Sequence, residues 1–365
     1  MRYKEDWEAA QRKFREFWAR ENHDRPLVTV KGLREDRKPT GIKAPDRLID
    51  RWMDPEWLVR RGRAWCESTW FGGEAYPDLW PNLGPDVFAA FLGEEIEFGE
   101  DTSWARHSLA SWNPRPRLAF DPDNRWWRAI EGLTEALVAD ARGDYFVGVT
   151  DIHPGMDALV SLRGPETLAM DLYDEPEAIK SAVADCFKAL TAVYDRLYAI
   201  SQKNLAGYSD WMNIWHPGRA FTTSCDFIGL ISPKAFREFV EPEIRAELAF
   251  FDASIFHLDG PGALRHLDAL LGIDELAGVQ WVYGAGQPTA AHWLPVLRKI
   301  QAAGKCVQVT ASPEDLPALC ANLRPEGLIL NMEKIPNDLS IKNFFTEAEA
   351  RDILSFVERA YRERK

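Results

Sequence analysis

Cysteine is scarce and scattered. The five present in 365 residues, Cys66, Cys186, Cys225, Cys306 and Cys320, are odd in number, far apart and never spaced C-x-x-C. Neither a disulfide framework nor a cysteine-only zinc site is expected. Long apolar runs are also missing, with nothing approaching the roughly 18 residues of a membrane-spanning helix. The opening MRYKEDWEAAQRKFREFWAR is charged throughout and lacks the apolar stretch of a signal peptide, so a cytoplasmic location is expected. Basic charge is in deficit: 44 Lys and Arg against 57 Asp and Glu leave a net charge of −13. That balance argues against a partner rich in phosphate, whether nucleic acid or anionic membrane, and favours a small-molecule partner. The G-x-x-x-x-G-K-[ST] phosphate loop, the H-E-x-x-H metal helix and the G-x-S-x-G nucleophile elbow are absent. Gly284 and Gly286 in YGAGQP lack the third glycine of a dinucleotide fingerprint.

With 46% hydrophobic and 28% charged residues, the chain has material for a large core and a soluble surface. Its 15 tryptophans gather in RWWRA, in SDWMNIW and around Trp52, Trp57, Trp65, Trp70 and Trp80. Most are expected to pack the core, where aromatic rings bury large apolar area, and a few to line a pocket.

Short apolar runs alternate with helix-length segments, which predicts βα units and a parallel sheet. The strand candidates are PLVTV (Pro26 to Val30), YFVGVTD (Tyr145 to Asp151), MNIWH (Met212 to His216), SIFHLD (Ser254 to Asp259), VQWVY (Val279 to Tyr283), CVQVT (Cys306 to Thr310) and GLILNM (Gly327 to Met332). An eighth is expected near Leu205 to Tyr208 or within Ile96 to His107. Ser232-Pro233, Thr289 and Ser312-Pro313 fit helix N-caps, and Gly304 fits a C-terminal stop. We expect one domain over residues 1–365, with an N-terminal helix in 1–24 and residues 31–124 forming an elaboration over a barrel mouth.

Residues two apart in a strand share a face, so polar pairs at i and i+2 near a strand's C-terminal end project together into such a mouth. Two pairs qualify, Asp151 with His153 in VGVTDIHPG and His257 with Asp259 in SIFHLDGPG. An imidazole beside a carboxylate can act as general acid or base, hold a substrate hydroxyl or carboxylate, or ligate a metal. It can equally be a carboxylate orienting a histidine and capping the next helix. Further substrate-binding candidates are Trp215 and His216 in NIWHPG, Arg219 for an anionic group, Trp281 and Tyr283 as the inward members of VQWVY, and Glu333 after LILNM. Asp226 in TTSCDFIGL is either a mouth or a turn residue, and His107 and Thr310 complete the set.

The runs CDFIGLISPKAFREFVEPEI, FHLDGPG, HLDALLGI, VQWVYGAG and KIQAAGK resemble the uroporphyrinogen decarboxylase-like superfamily, closest to its trimethylamine corrinoid protein-like branch. The resemblance runs from about Tyr145 onward and implies a single (β/α)8 TIM-type barrel. Two activities come with it: cofactor-free decarboxylation of uroporphyrinogen, and zinc-dependent methyl transfer between a corrinoid protein and a thiol. PLVTVKGLREDRK stands where the decarboxylase's M-R-Q-A-G-R motif would follow the first strand, so porphyrinogen decarboxylation is not expected. In the methyltransferases zinc is held by a histidine, a cysteine two residues later and a second cysteine after the last strand. Here His257 matches the histidine, Asp259 replaces the first cysteine, and LILNMEK offers Asn331, Met332 or Glu333 for the second.

The leading expectation is therefore a methyltransferase-like enzyme, with His257 and Asp259 binding zinc or polarising substrate and Asp151 and His153 transferring protons. A corrinoid protein is its expected partner. Two other readings stand beside it. One is a metal-free lyase or hydrolase acting on a sugar- or polyol-like substrate; the other is a non-enzymatic binding protein of a corrinoid pathway. A homodimer is compatible with the apolar face of the N-terminal helix, which can bury against a second copy or against the barrel bottom.

Overall fold

The computed structural model describes residues 1–37, 41–334 and 344–364. Among the described residues, twelve strands follow in chain order. The first three are β1 (Leu27–Leu33), β2 (Thr69–Gly73) and β3 (Asp78–Leu79). Next come β4 (Ile96–Phe98), β5 (Ser103–Ala105) and β6 (Phe146–Val147). The later half supplies β7 (Ala220–Ser224), β8 (Ala253–Asp259), β9 (Gly278–Val282), β10 (Cys306–Ala311), β11 (Leu328–Met332) and β12 (Phe345–Thr346). The main sheet runs β12-β1-β11-β10-β9-β8-β7 with parallel neighbours throughout, and β2 lies antiparallel against β1. The fold is thus α/β with a mostly parallel central sheet.

β3 and β6 form a separate parallel pair, and β4 and β5 an antiparallel one. The ladder is thin between β6 and β7. There the Val149 N–H donates to the Ser209 carbonyl, and the Tyr208–His216 bridge stands alone. Gly148 falls at this edge, where glycine weakens a strand.

Alternation along the strands sorts their side chains into two cores. Val28, Val30, Phe256, Leu258, Val279, Trp281, Val307, Val309, Leu328 and Leu330 pack outward into the large cluster shared with the helices. Leu27, Ile255, Cys306 and Ile329 point to the other face and meet Trp7, Phe14 and Phe17 of the helix Trp7–Ala19. That helix therefore buries its apolar stripe within its own chain, under the N-terminal ends of the strands. Further along the same inner face the residues become polar: Thr29 and Lys31, His257 and Asp259, Gln280, Gln308 and Thr310, and Asn331. Parallel strands, apolar on both faces at one end, thus present a polar inner layer at their C-terminal ends.

Five of the expected strands lie where PLVTV, SIFHLD, VQWVY, CVQVT and GLILNM predict, and YFVGVTD contributes the short β6. MNIWH does not form a strand. The element before β8 is β7, eight residues further along, because Asp210 and Asn213 turn the chain: the Asp210 Oδ1 accepts the Met212 N–H (3.0 Å), and Asn213 takes a left-handed φ of 55°. Ile96 to His107 holds the β4–β5 hairpin outside the main sheet, whereas β2 and β3, unforeseen, join the framework. Ser232 and Ser312 cap where the sequence placed them, whereas Thr289 occupies the N-cap position without a side-chain cap bond. The Ser232 Oγ accepts the Ala235 N–H, and the Asp315 Oδ2 accepts both the N–H and the O–H of Ser312. The Thr289 hydroxyl also bonds Asp315. Within SPKAFREFVEP, Phe236–Val240 forms a π-helical turn that leads into the helix Glu241–Phe250. Among the described residues no helix is long and apolar enough to cross a membrane.

Candidate functional site

Register brings the first pair together. Ser224, His257 and Gln280 are neighbours on β7, β8 and β9, so their side chains share the inner face. His257 is nine-tenths buried, and its Nδ1 hydrogen-bonds the Gln280 Oε1. A carbonyl oxygen accepts and cannot donate, so this bond places a proton on Nδ1 and turns Nε2 toward the mouth. Facing Nε2 is Asp226, whose Oδ1 lies 3.9 Å away. Asp259, two residues beyond His257, ends β8 and is exposed.

His153 enters from the loop after β6. Its Nε2 lies 2.9 Å from the Asp151 Oδ1, while Nδ1 lies 2.9 Å from the Ser224 Oγ and 3.6 Å from the Asp157 Oδ2. Asp157 sits in the first turn of the helix Gly155–Arg163, and it accepts the Asp226 N–H (3.0 Å) and the Phe227 N–H (3.2 Å). One carboxylate therefore ties the His153 loop to the 3-10 turn Asp226–Leu230. The Trp211 indole bridges the two histidines, stacked on His153 at 6.3 Å between ring centroids and edge-on to His257 at 4.9 Å.

Charge follows from these contacts. Burial works against a charged His153, but Asp151 and Asp157 outweigh it and hold the imidazole pKa well above its ordinary value. Half of the Asp226 side chain meets solvent. Desolvation within the mouth, reinforced by Asp157, still raises its carboxyl to about 6, against the pull of His257 and His153. Two sets of donor atoms, His153 with Asp157 and Asp226, and Asp226 with His257 and Asp259, each lie within 4.8 Å of one another. Either set offers carboxylate and imidazole donors suited to a divalent cation.

A second polar chain lines the β1 side. The Thr29 hydroxyl donates to the Asn331 Oδ1 (2.9 Å), whose Nδ2 reaches the Thr310 Oγ1 (3.2 Å) and the Glu333 Oε1 (3.3 Å). The Lys31 ammonium donates to the Asn213 Oδ1 (2.7 Å), and burial holds its pKa below the usual value despite Asp78 and Glu333. Lys31 could have been found in the sequence, since Leu27, Thr29 and Lys31 alternate from apolar to polar along one face of β1. Asp157 stands four residues after His153, a helix-turn spacing that carries the same information. No sequence signal points to Trp211.

Several candidates lie elsewhere. Trp281 is fully buried and packs on Trp293 in the helical layer at 5.1 Å. Tyr283 shares its outward side and donates its hydroxyl to the Thr310 carbonyl. Gln280, not Trp281, is the inward residue. Trp215 packs edge-on against Trp7 at 5.8 Å in the core under the strands. His216 stacks edge-on with Trp18, and its Nδ1 accepts the Gly218 N–H (3.0 Å). Arg219 pairs with Asp195 at 2.6 Å and lies over the Phe250 ring. These last three residues precede β7 and so belong to the N-terminal end of the sheet. His107 bonds the Ser161 carbonyl, outside the mouth.

No family model and no curated protein matches the chain. A methyltransferase from Methanosarcina mazei has a similar structure, with a TM-score of 0.60 over 96% of this chain and 98% of that one, at 11% sequence identity. This likeness is one of fold.

Proposed function

We propose that the protein is a methyltransferase-like enzyme on a (β/α)8 barrel of the uroporphyrinogen decarboxylase type, with a divalent cation, zinc foremost, held by Asp226, His257 and Asp259. The supporting observation is that these three donors lie within 4.8 Å of one another, with the His257 Nε2 turned toward Asp226 by Gln280. The donors fit a cation chemically, and they are harder than a thiolate set. All five cysteines are buried, and burial raises the thiol pKa of Cys66, Cys186, Cys225, Cys306 and Cys320. When bound, the cation supplies Lewis acidity suited to an oxygen ligand. Asp226 and Asp259 then orient the acceptor group, His153 holds a proton between Asp151 and Asp157, and Trp211 walls the space between the imidazoles. In this reading the methyl group is exchanged with a corrinoid protein docked at the mouth, and the acceptor is a hydroxyl-bearing small molecule rather than a soft thiol.

The test is metal content by elemental mass spectrometry on tag-free protein, wild type beside His257→Ala, followed by methyl transfer from methylcobalamin. Near-stoichiometric zinc that is lost in the variant supports the reading. Protein that stays free of metal after zinc reconstitution refutes it. That second result favours metal-free acid–base catalysis on a hydroxylated substrate, a reading supported by the proton that Asp151 and Asp157 hold on His153.

A further inference from the structure

We propose that the mouth binds two divalent cations at once, with Asp226 as the carboxylate they share: one between Asp226, His257 and Asp259, the other between Asp226, His153 and Asp157. The inference rests on the single-cation reading above for its first site and adds a second at His153.

Three independent observations carry it. Asp226 is common to both donor sets, each of which already lies within 4.8 Å. Two donors on one ion, each bonded at about 2.1 Å, stand at most about 4.2 Å apart. The His257 Nε2 to Asp226 distance of 3.9 Å and the His153 Nδ1 to Asp157 distance of 3.6 Å already satisfy that limit.

The histidines are also oriented as ligands. The His257 Nδ1 is hydrogen-bonded to Gln280, and the His153 Nε2 lies 2.9 Å from Asp151 as an ion pair while its Nδ1 faces Asp157, so each ring keeps a nitrogen for the donor set that contains Asp226. Such outer hydrogen bonds fix tautomer and ring direction in metal-bound histidines. His257 is nine-tenths buried, yet among the described residues its Nε2 makes no hydrogen bond. A divalent cation between this nitrogen and Asp226 would occupy that open position.

The last observation is charge. Asp151, Asp157, Asp226 and Asp259 converge on the two imidazoles, and among the described residues no Lys or Arg pairs with any of the four. Four carboxylates that no described Lys or Arg pairs with are matched in formal charge by two divalent cations. The second cation takes the place of the proton on His153, and the Ser224 hydroxyl, 2.9 Å from Nδ1, gives way to it. Paired ions sharing a carboxylate commonly stand ~3.5–4 Å apart and clamp an oxygen anion between them. A phosphate- or carboxylate-bearing small molecule is accordingly the ligand class that the pair would take.

The experiment strips the full chain with chelator, reloads it with zinc alone or manganese alone, desalts it and counts ions per chain by elemental mass spectrometry. Wild type, His153→Gln and His257→Gln are compared, with thermal melts to confirm that each variant is folded. Two ions in wild type and one in His153→Gln support the proposal. Manganese-loaded wild type adds a measurement that needs no variant, because two coupled ions give an electron paramagnetic resonance spectrum with halved hyperfine spacing. One ion in wild type, retained in His153→Gln and lost in His257→Gln, overturns the second site and leaves the single-cation reading intact. No ion in any sample overturns both.

Discussion

Replacing Glu243 by Gln should stabilise the protein increasingly as pH rises. Glu243 is 7% exposed in the helix that follows the π-helical turn. Its Oε2 accepts the Met156 N–H at 3.3 Å, and the carboxyl is pressed against Gly155, where a φ of 52° and lack of room both exclude a side chain. Burial, with the charge of Asp157 added, raises its pKa from 4.5 to about 8 against the opposing Met156 hydrogen bond. A folded-state pKa above the unfolded one means that folding favours the protonated acid. Its contribution is fully present below pH 4.5 and is lost as pH climbs through 8. At about 1.4 kcal/mol per pKa unit, forcing this carboxylate to ionise in place costs on the order of 5 kcal/mol. Glutamine keeps the acceptor for Met156 but cannot ionise. Urea unfolding of both proteins at intervals from near pH 5 to near pH 9 should therefore show curves that nearly coincide at the acid end and separate by a few kcal/mol at the alkaline end. Glu247 is buried beside Glu243, and its pKa is also raised by burial. The Glu243 charge also raises Glu247, so the substitution lowers that pressure as well and the difference reports the pair, in the same direction. A gap that does not change with pH would refute the argument, as would a wild type that gains on the variant when made alkaline.

Three other substitutions test separate layers. Phe17→Ala empties a fully buried position in the core under the strands and should cost about 3–5 kcal/mol in urea unfolding; a loss below about 1 kcal/mol would mean that the helix does not seal that end. Arg219→Ala removes a surface ion pair and a ring contact, so stability should fall by no more than about 1–2 kcal/mol with cation and ligand binding unchanged, and a selective loss of binding would return Arg219 to the site. Gln280→Leu releases the Nδ1 side of His257 and should weaken zinc about 10- to 100-fold in chelator competition, whereas unchanged affinity would show that Gln280 does not orient the ligand.

The parallel strands were legible because β1 and β8 to β11 are dense in β-branched and aromatic residues and are bounded by capped helices. β7 was not legible, since AFTTS carries a single large apolar residue, while MNIWH upstream looks more strand-like by composition. What separates the two is turn chemistry at Asp210 and Asn213, which outweighs propensity. Trp215, His216 and Arg219 therefore lie at the end of the sheet away from the mouth, because residues that resemble a strand's C-terminal end in fact precede the N-terminal end of the next.

The choice between Gln280 and Trp281 failed for a different reason. Parity within VQWVY is unambiguous, but which parity faces inward depends on the neighbouring strand. A tryptophan suits an aromatic-lined mouth as well as it suits a helix-covered outer face. The phase is settled by His257: a polar residue registered beside a buried imidazole can supply its hydrogen bond, and a residue one position away points to the opposite side. Had the His257 and Asp259 pair been used as the fixed phase for its neighbours, Gln280, Gln308, Thr310, Asn331, Thr29 and Lys31 would all have followed from sequence by counting alternate residues back from each strand's end. Strand parity does not reach Asp157, Asp226 or Trp211: the i+4 spacing from His153 points to Asp157 and TTSCDFIGL offers Asp226 as a mouth or turn residue, but loops and a helix N-terminus deliver all three, and the distance across a mouth is set by how helices pack on the sheet.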